Sequence, residues 1–435
     1  YLAELENQPR TLIFIRPRRF GKSLFISMMR AYYDKSKAEH FEKLFGSLWI
    51  GSHPTPLRNH YQVLYLDFSR ILGNIDVLEE KFNSYCCDQL NDFIDTYRDD
   101  YPKERVEEFL RSDDHGQKLN LLLNMSRKYN QQLYLIIDEY DNFTNIVLSE
   151  HGEAIYHNMT HASGFYREVF KKFKGMFERI FLTGVSPVTL DDLTSGFNIG
   201  WNISMAPELD KMLGFSTEDV RRMFTYYKEA GQLPADSDIE AMITEMKPWY
   251  DNYSFAKECL ESNIRVFNCD MVLYYLRNYI SYKHSPETML DPNTKTDYKK
   301  LNMLIQLDKL DGNRHGVMME IIEKGEIAAT LVPSFSANEM TDPETFPSLL
   351  FYYGMLTIKG TKGSRLILGI PNNNVRKQYY NYILNELSKH GTVNISKLRD
   401  YFDLMSFDGK WRDGFQYMAD CYKQLSSVRD SIEGE

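Results

Sequence analysis

The segment Arg16-Pro17-Arg18-Arg19-Phe20-Gly21-Lys22-Ser23 constrains this chain more than any other. A short apolar run, Thr11–Ile15, precedes it, and a helical pattern with Leu24, Phe25, Met28, Met29 and Tyr32 follows it. That order predicts a strand, a loop and a helix. The segment keeps the spacing of G-x-x-x-x-G-K-[ST] and departs from it once, where Arg16 replaces the first glycine. The residue types suit a bound anion. Backbone N–H groups in such a turn, and at the start of its helix, point at phosphate oxygens. Gly21 permits a close approach and a backbone conformation closed to residues with a Cβ. Lys22 brings a compact positive charge to the β- and γ-phosphates, and the Ser23 hydroxyl is a hard oxygen ligand suited to Mg²⁺. Arg16, Arg18 and Arg19 add positive charge around the anion site. The nucleotide-binding segment expected here is Arg16, Pro17, Arg18, Arg19, Phe20, Gly21, Lys22, Ser23 and Leu24. A Gly-Lys-Ser tripeptide alone is common; its place between a strand and an amphipathic helix gives it meaning.

A second apolar run, Leu133–Ile137, ends in Asp138-Glu139. Beside a phosphate loop, the first acid is expected to hold Mg²⁺ directly or through water. The adjacent Glu139 is the candidate base for an attacking water. Thr183 ends a further strand, Arg179–Thr183, and is the expected sensor of the γ-phosphate. A capping or turn role before Gly184 is its alternative. Catalysis is thus assigned to Glu139, Lys22 and Thr183, metal binding to Ser23 and Asp138, and the cofactors are ATP and Mg²⁺.

Strands alternating with helices up to about residue 206 imply crossover connections and a parallel sheet. The fold class expected is α/β, a P-loop NTPase sheet with a helical lid and a winged-helix-like C-terminal region. Helices dominate from there to about residue 330, with Ser216 or Thr217 as an N-cap. A helix near Pro347–Tyr353 runs into Met355–Lys359, and Arg365–Ile370 completes a hairpin. Helix followed by hairpin is the shape of a winged-helix unit. The expected boundaries are 1–206 for the ATPase core, 207–285 for the lid, 286–375 for the winged-helix-like region and 376–435 for a helical linker broken near His390–Gly391.

With 435 residues, 43% of them hydrophobic and 26% charged, the chain has the composition of a globular protein. No run is long and apolar enough to span a membrane. Five cysteines without a C-x-x-C pair argue against disulfide stapling or a zinc site and favour a reducing cytoplasm. A net charge of −10 argues against a non-specific nucleic-acid coat, though it leaves room for a local basic patch. His157 and His161 stand four residues apart, near His151, but a solvated helix explains them better than a metal site. Pro248-Trp249-Tyr250-Asp251-Asn252-Tyr253 is dense in aromatics and reads first as packing. There is no G-x-S-x-G elbow and no convincing Cys–His pair.

The loop with its leading arginine resembles the R-P-R-R-F-G-K-S signature of the bacterial AAA-ATPase-like family. Ile136-Ile137-Asp138-Glu139-Tyr140-Asp141 and Leu182-Thr183-Gly184-Val185-Ser186 resemble its next landmarks. Leu213-Gly214-Phe215-Ser216, Trp249-Tyr250-Asp251-Asn252-Tyr253, Ser348-Leu349-Leu350-Phe351-Tyr352-Tyr353-Gly354 and Ile370-Pro371-Asn372 resemble later ones. The resemblance implies a P-loop ATPase of the AAA/STAND kind with a helical lid and a winged-helix-like part. It also implies a C-terminal nuclease-like domain of the PD-(D/E)XK superfamily in many members. No acid-strand-E-x-K pattern is found here, and Glu323-Lys324 reads as helix. The chain opens on Tyr1 and reads as a piece of a longer protein, with residues 373–435 as the linker towards that domain. The partners this reading admits are ATP and ADP, a second copy of the chain, and DNA gripped by Lys359, Lys362 and Arg365 on the hairpin. A nucleotide-gated adaptor that hydrolyses little is the chief rival, and a small-molecule kinase a weaker one.

Overall fold

The structure is a computed structural model that describes residues 1–71, 74–160, 164–188, 200–262, 264–291, 313–337, 339, 342–389 and 394–425. The chain forms two compact units, Tyr1–Asn373 and Asn374–Glu435. The first contains a five-stranded sheet made of β1 (Thr11–Ile15), β2 (Gln62–Asp67), β3 (Leu133–Asp138), β4 (Arg179–Gly184) and β5 (Trp201–Asn202). Their order is β2-β3-β4-β1-β5, and every pairing is parallel. β1 and β3 are buried at every position, as continuous apolar runs in a parallel sheet must be when both faces are covered. β2, at an edge, alternates between buried and half-buried residues.

Parallel pairing sends the carboxyl ends of β1, β3 and β4 to the same rim of the sheet, where ligands of open α/β sheets bind. The helix Lys22–Tyr33 starts at that rim and buries Phe25, Ile26, Met29, Tyr32 and Tyr33. Leu24 falls off this stripe and is 77% exposed, so it is not part of the apolar face that the sequence pattern suggested.

The turn after β3 is clamped to the end of β4. The buried Asp141 carboxylate accepts hydrogen bonds from the amides of Val185, at 3.2 Å, and Ser186, at 2.6 Å. The Tyr140 hydroxyl donates to the Ser186 carbonyl, and the Tyr166 hydroxyl donates to the Tyr140 carbonyl. Gly184 is required by this contact, because a Cβ there would lie 2.2 Å from Asp141 Oδ1 and 2.6 Å from the Tyr140 ring.

Beyond the sheet, the helices Thr217–Glu229, Ile239–Tyr250 and Cys269–Tyr282 share a core of Val220, Phe224, Met246, Tyr250, Val272 and Tyr275. Of the two candidate caps, Ser216 holds the position, in a capping box with Asp219. A short antiparallel ladder joins β6 (Phe215–Ser216) to β7 (Val266–Phe267). Further along, β8 (Glu326–Ala329), β9 (Thr357–Lys362) and β10 (Arg365–Gly369) form an antiparallel sheet in the order β8-β10-β9. The β9–β10 hairpin follows the helix Phe346–Tyr352. β8 lies inside a stretch that reads as helical, because four residues with one buried position carry no alternation to detect. In the second unit the helices Ile395–Asp408 and Arg412–Leu425 pack together, with Gly409 at positive φ between them. His161 and the break expected at His390–Gly391 lie outside the described residues. No described helix is long and apolar enough to cross a membrane.

The clamp between β3 and β4 is testable at its closest contact. Gly184→Ala forces the added methyl onto Asp141 or the Tyr140 ring. It is expected to cost about 1–3 kcal/mol of unfolding free energy in urea titrations. An unchanged midpoint would show that the turn has room to spare.

Candidate nucleotide-binding site

The loop leaves β1 at Ile15 and enters the helix at Lys22, with Gly21 in the left-handed region at φ 94°. Only Arg19 (φ 68°) shares that backbone region within the loop, so the first position of the pattern does not need a glycine. This is why Arg16 is tolerated there. Its guanidinium is buried, between the rings of Phe14 at 4.3 Å and Phe255 at 4.1 Å. It donates to the carbonyls of Ile15, Ser204 and Leu209 at 3.1, 2.5 and 3.2 Å. Burial lowers its pKa to about 9, while Asp210 draws it back up, and at neutral pH the group is a cation. Its side chain therefore fastens β1 to the segment after β5. Its charge, expected around the anion site, lies instead against these carbonyls.

The loop's carbonyls are committed to Lys22 and to neighbours outside the loop. Lys22 Nζ donates to the carbonyls of Arg16 and Pro17 at 3.1 and 3.2 Å. Asn268 Nδ2 donates to that of Arg18, and the Asp270 amide to that of Arg19, each at 3.3 Å. The Phe20 carbonyl accepts from the Gly214 amide and the Cys269 thiol, both at 3.3 Å. The Phe20 ring is fully buried and meets Tyr253 edge-on at 4.9 Å. Pro17 faces Gly354, where a Cβ would come within 2.8 Å of it. Arg19 reaches Asp270 at 2.6 Å, and Arg18 is half-buried.

The loop's remaining polar side chains meet the end of β3. Ser23 Oγ donates to Asp138 Oδ2 at 2.7 Å across 115 residues of sequence. Asp138 Oδ1 accepts from the Glu139 amide at 3.0 Å. Lys22 Nζ lies 3.9 Å from Glu139 Oε1. Glu139 takes a left-handed backbone conformation at φ 51°, which is costly for a non-glycine residue and recurs at functional sites. Burial pushes the Asp138 carboxyl up to about 6, helped by the charges of Glu139 and Asp67, while the Ser23 hydrogen bond and Lys22 act against it. Lys22, Ser23, Asp138 and Glu139 are thus brought together. Thr183 is not part of this group: it is buried, and its hydroxyl donates to the Phe14 carbonyl at 2.7 Å, which holds β4 to β1.

Sequence reasoning passed over Asp67, at the end of β2 in register with Asp138. It also passed over Asn268, Cys269 and Asp270, which hold the loop from outside. Asp67 had a signal, an acid at a strand end; the other three had none.

A serine hydroxyl beside a carboxylate, both hard oxygen donors, fits Mg²⁺, which binds through one or two carboxylates with substrate phosphates completing its shell. Residues 1–194 match the AAA-ATPase-like family, described as predicted AAA-ATPase. The AAA-ATPase-like segment contains the loop, Asp138, Glu139 and Thr183, and its match stops before Leu213–Ser216 and the later landmarks. No curated protein matches the chain.

The role of Arg16 separates two readings of the loop. Arg16→Gly restores the first glycine of the G-x-x-x-x-G-K-[ST] pattern. It leaves the Ser204 carbonyl buried without the guanidinium donor and the Leu209 carbonyl with the Met212 amide alone. A loss of about 3–5 kcal/mol in stability is expected, by thermal or urea unfolding. If the variant is as stable as the parent and binds nucleotide better, the arginine is dispensable.

Proposed function

We propose that the chain is a Mg²⁺-dependent switch ATPase, which binds ATP at Arg16–Ser23 and hydrolyses it to ADP and phosphate. The contact that carries the reading is Ser23 Oγ to Asp138 Oδ2, which joins the phosphate loop to the acidic strand end. ATP would draw Lys22 Nζ from the Arg16 and Pro17 carbonyls onto the β- and γ-phosphates. Ser23 and Asp138 would hold Mg²⁺, which when bound neutralises charge on those phosphates. Glu139 would accept the proton of the attacking water as its oxygen bonds to the γ-phosphorus and the bond to the ADP oxygen breaks. Leu24, exposed at the helix start beside Ser23, would border the bound nucleotide. Arg19 is tied to Asp270 and Arg16 to buried carbonyls, so an arginine to stabilise the transition state would come from Arg18, from rearrangement, from a partner or from a second copy. Basal turnover is accordingly slow.

The rival reading, a nucleotide-gated adaptor, is favoured by that same Arg19–Asp270 pair and is separated by hydrolysis. Lys22→Ala is expected to weaken ATP binding by about two orders of magnitude in a fluorescent-nucleotide titration. Affinity equal to the parent's rejects the site. Glu139→Gln is expected to keep ATP affinity within about threefold while phosphate release falls by about 10²–10⁴-fold. Release at the parent's rate would remove Glu139 from the chemistry.

A further inference from the structure

Arg19 holds a backbone conformation that an arginine rarely takes. Its φ is 68°, and two residues further on Gly21 stands at 94°. Left-handed residues in a turn of this kind aim its N–H groups into one concavity, and that concavity is what binds an anion. Gly21 meets the requirement freely, because it has no Cβ. Arg19 does not. Such a torsion at a residue with a side chain persists only where the surroundings hold it.

One residue holds Arg19 at both ends. The Asp270 amide donates to the Arg19 carbonyl at 3.3 Å, and Arg19 Nη1 donates to Asp270 Oδ2 at 2.6 Å. A half-buried ion pair contributes little by itself. This one acts on a residue whose main chain is bonded to the same partner, so it restrains a torsion as well as a side chain. Asp270 stands in the first turn of the helix Cys269–Tyr282, and that helix is a fixed support. Asn268 caps it by accepting from the Met271 amide at 3.3 Å, and the Asn268 amide donates to the Tyr250 carbonyl at 3.0 Å. Met271, Val272, Tyr275 and Leu276 are buried in the core shared with Phe224 and Tyr250.

We propose that Asp270 is a positioning residue for the phosphate loop. By holding Arg19 at its carbonyl and its guanidinium, it keeps the turn in the form that receives phosphate, and it sets nucleotide affinity from outside the loop. This role rests on the reading of Arg16–Ser23 as the ATP site. It accounts for an arginine where glycine would be freer, because the side chain is what fastens the turn to the helix Cys269–Tyr282. Tight nucleotide binding then requires that helix in its seat, and displacing the helix lowers the affinity.

Titration of the full chain with a fluorescent ATP analogue and Mg²⁺ tests this. It is run on the parent, Asp270→Ala, Arg19→Ala, Arg19→Gly, Arg19→Gly/Asp270→Ala and Lys22→Ala, with melting curves to show that each is folded. Asp270→Ala keeps the amide bond to the Arg19 carbonyl and is expected to weaken binding by about tenfold. Arg19→Ala is expected to weaken it to a similar degree. Arg19→Gly is expected to bind about threefold or more tighter than Arg19→Ala, although both lack the guanidinium, because glycine takes the torsion unaided. Adding Asp270→Ala to Arg19→Gly is expected to change affinity by less than about twofold. The charge that Asp270 brings to the helix terminus is lost in both backgrounds, so it cancels in that comparison. An Asp270→Ala variant that binds like the parent overturns the proposal. So do equal losses from Asp270→Ala in both backgrounds, or equal affinities for Arg19→Ala and Arg19→Gly, which would assign the effect to charge. In those cases a loss with Lys22→Ala leaves the ATP site itself standing. Parent binding that is absent, or indifferent to Lys22, overturns the ATP site and the role of Asp270 together.

Discussion

The hydrogen bond from Ser23 to Asp138 is where two distant strand ends become one site. It depends on the sheet order. β4 lies between β1 and β3, so the loop after β1 and the acids after β3 face each other across the end of one intervening strand. That strand must end compactly. Gly184 and the buried Asp141 provide for this, since a side chain at residue 184 would displace the turn that carries Glu139. Thr183 contributes from within the sheet by fixing β4 to the Phe14 carbonyl. The acids are thus placed by residues that lie outside their cluster.

The leading arginine of the loop shows how a motif position changes its purpose without changing the geometry. Where backbone torsion does not require glycine, the site is open to any side chain that finds room. Arg16 finds it under the sheet, against two aromatic rings and three carbonyls. A guanidinium suits that place better than an ammonium would, because its planar fork serves several acceptors at once and stacks on rings.

Much of this was legible in the sequence, and the reason is local. The strands β1 and β3 are uninterrupted apolar runs, and the loop and the Asp138-Glu139 pair stand at their ends by spacing alone. What the sequence hides is direction. Nothing in Arg16 says that its charge turns inward, and nothing in Thr183 says that its hydroxyl is spent on Phe14. Leu24 looks like a core residue until the buried stripe of its helix is seen to pass it by. β6 and β7 are two residues each, too short for any periodicity, and exist because Gly214, at φ 97°, lets Val266 approach.

That ladder matters because it belongs to the part of the chain that grips the loop from outside. The bonds from Asn268, Asp270, Gly214 and Cys269 to three successive loop carbonyls join the phosphate loop to the helical region after β5. Each such bond contributes about 0.5–1.5 kcal/mol net, so together they amount to a few kcal/mol. That is the scale on which a ligand shifts a two-state equilibrium. A loop held by far stronger contacts would be deaf to its ligand, and one held by none would have nothing to report to. The loop here is held at an intermediate strength, through the carbonyls of Arg18, Arg19 and Phe20.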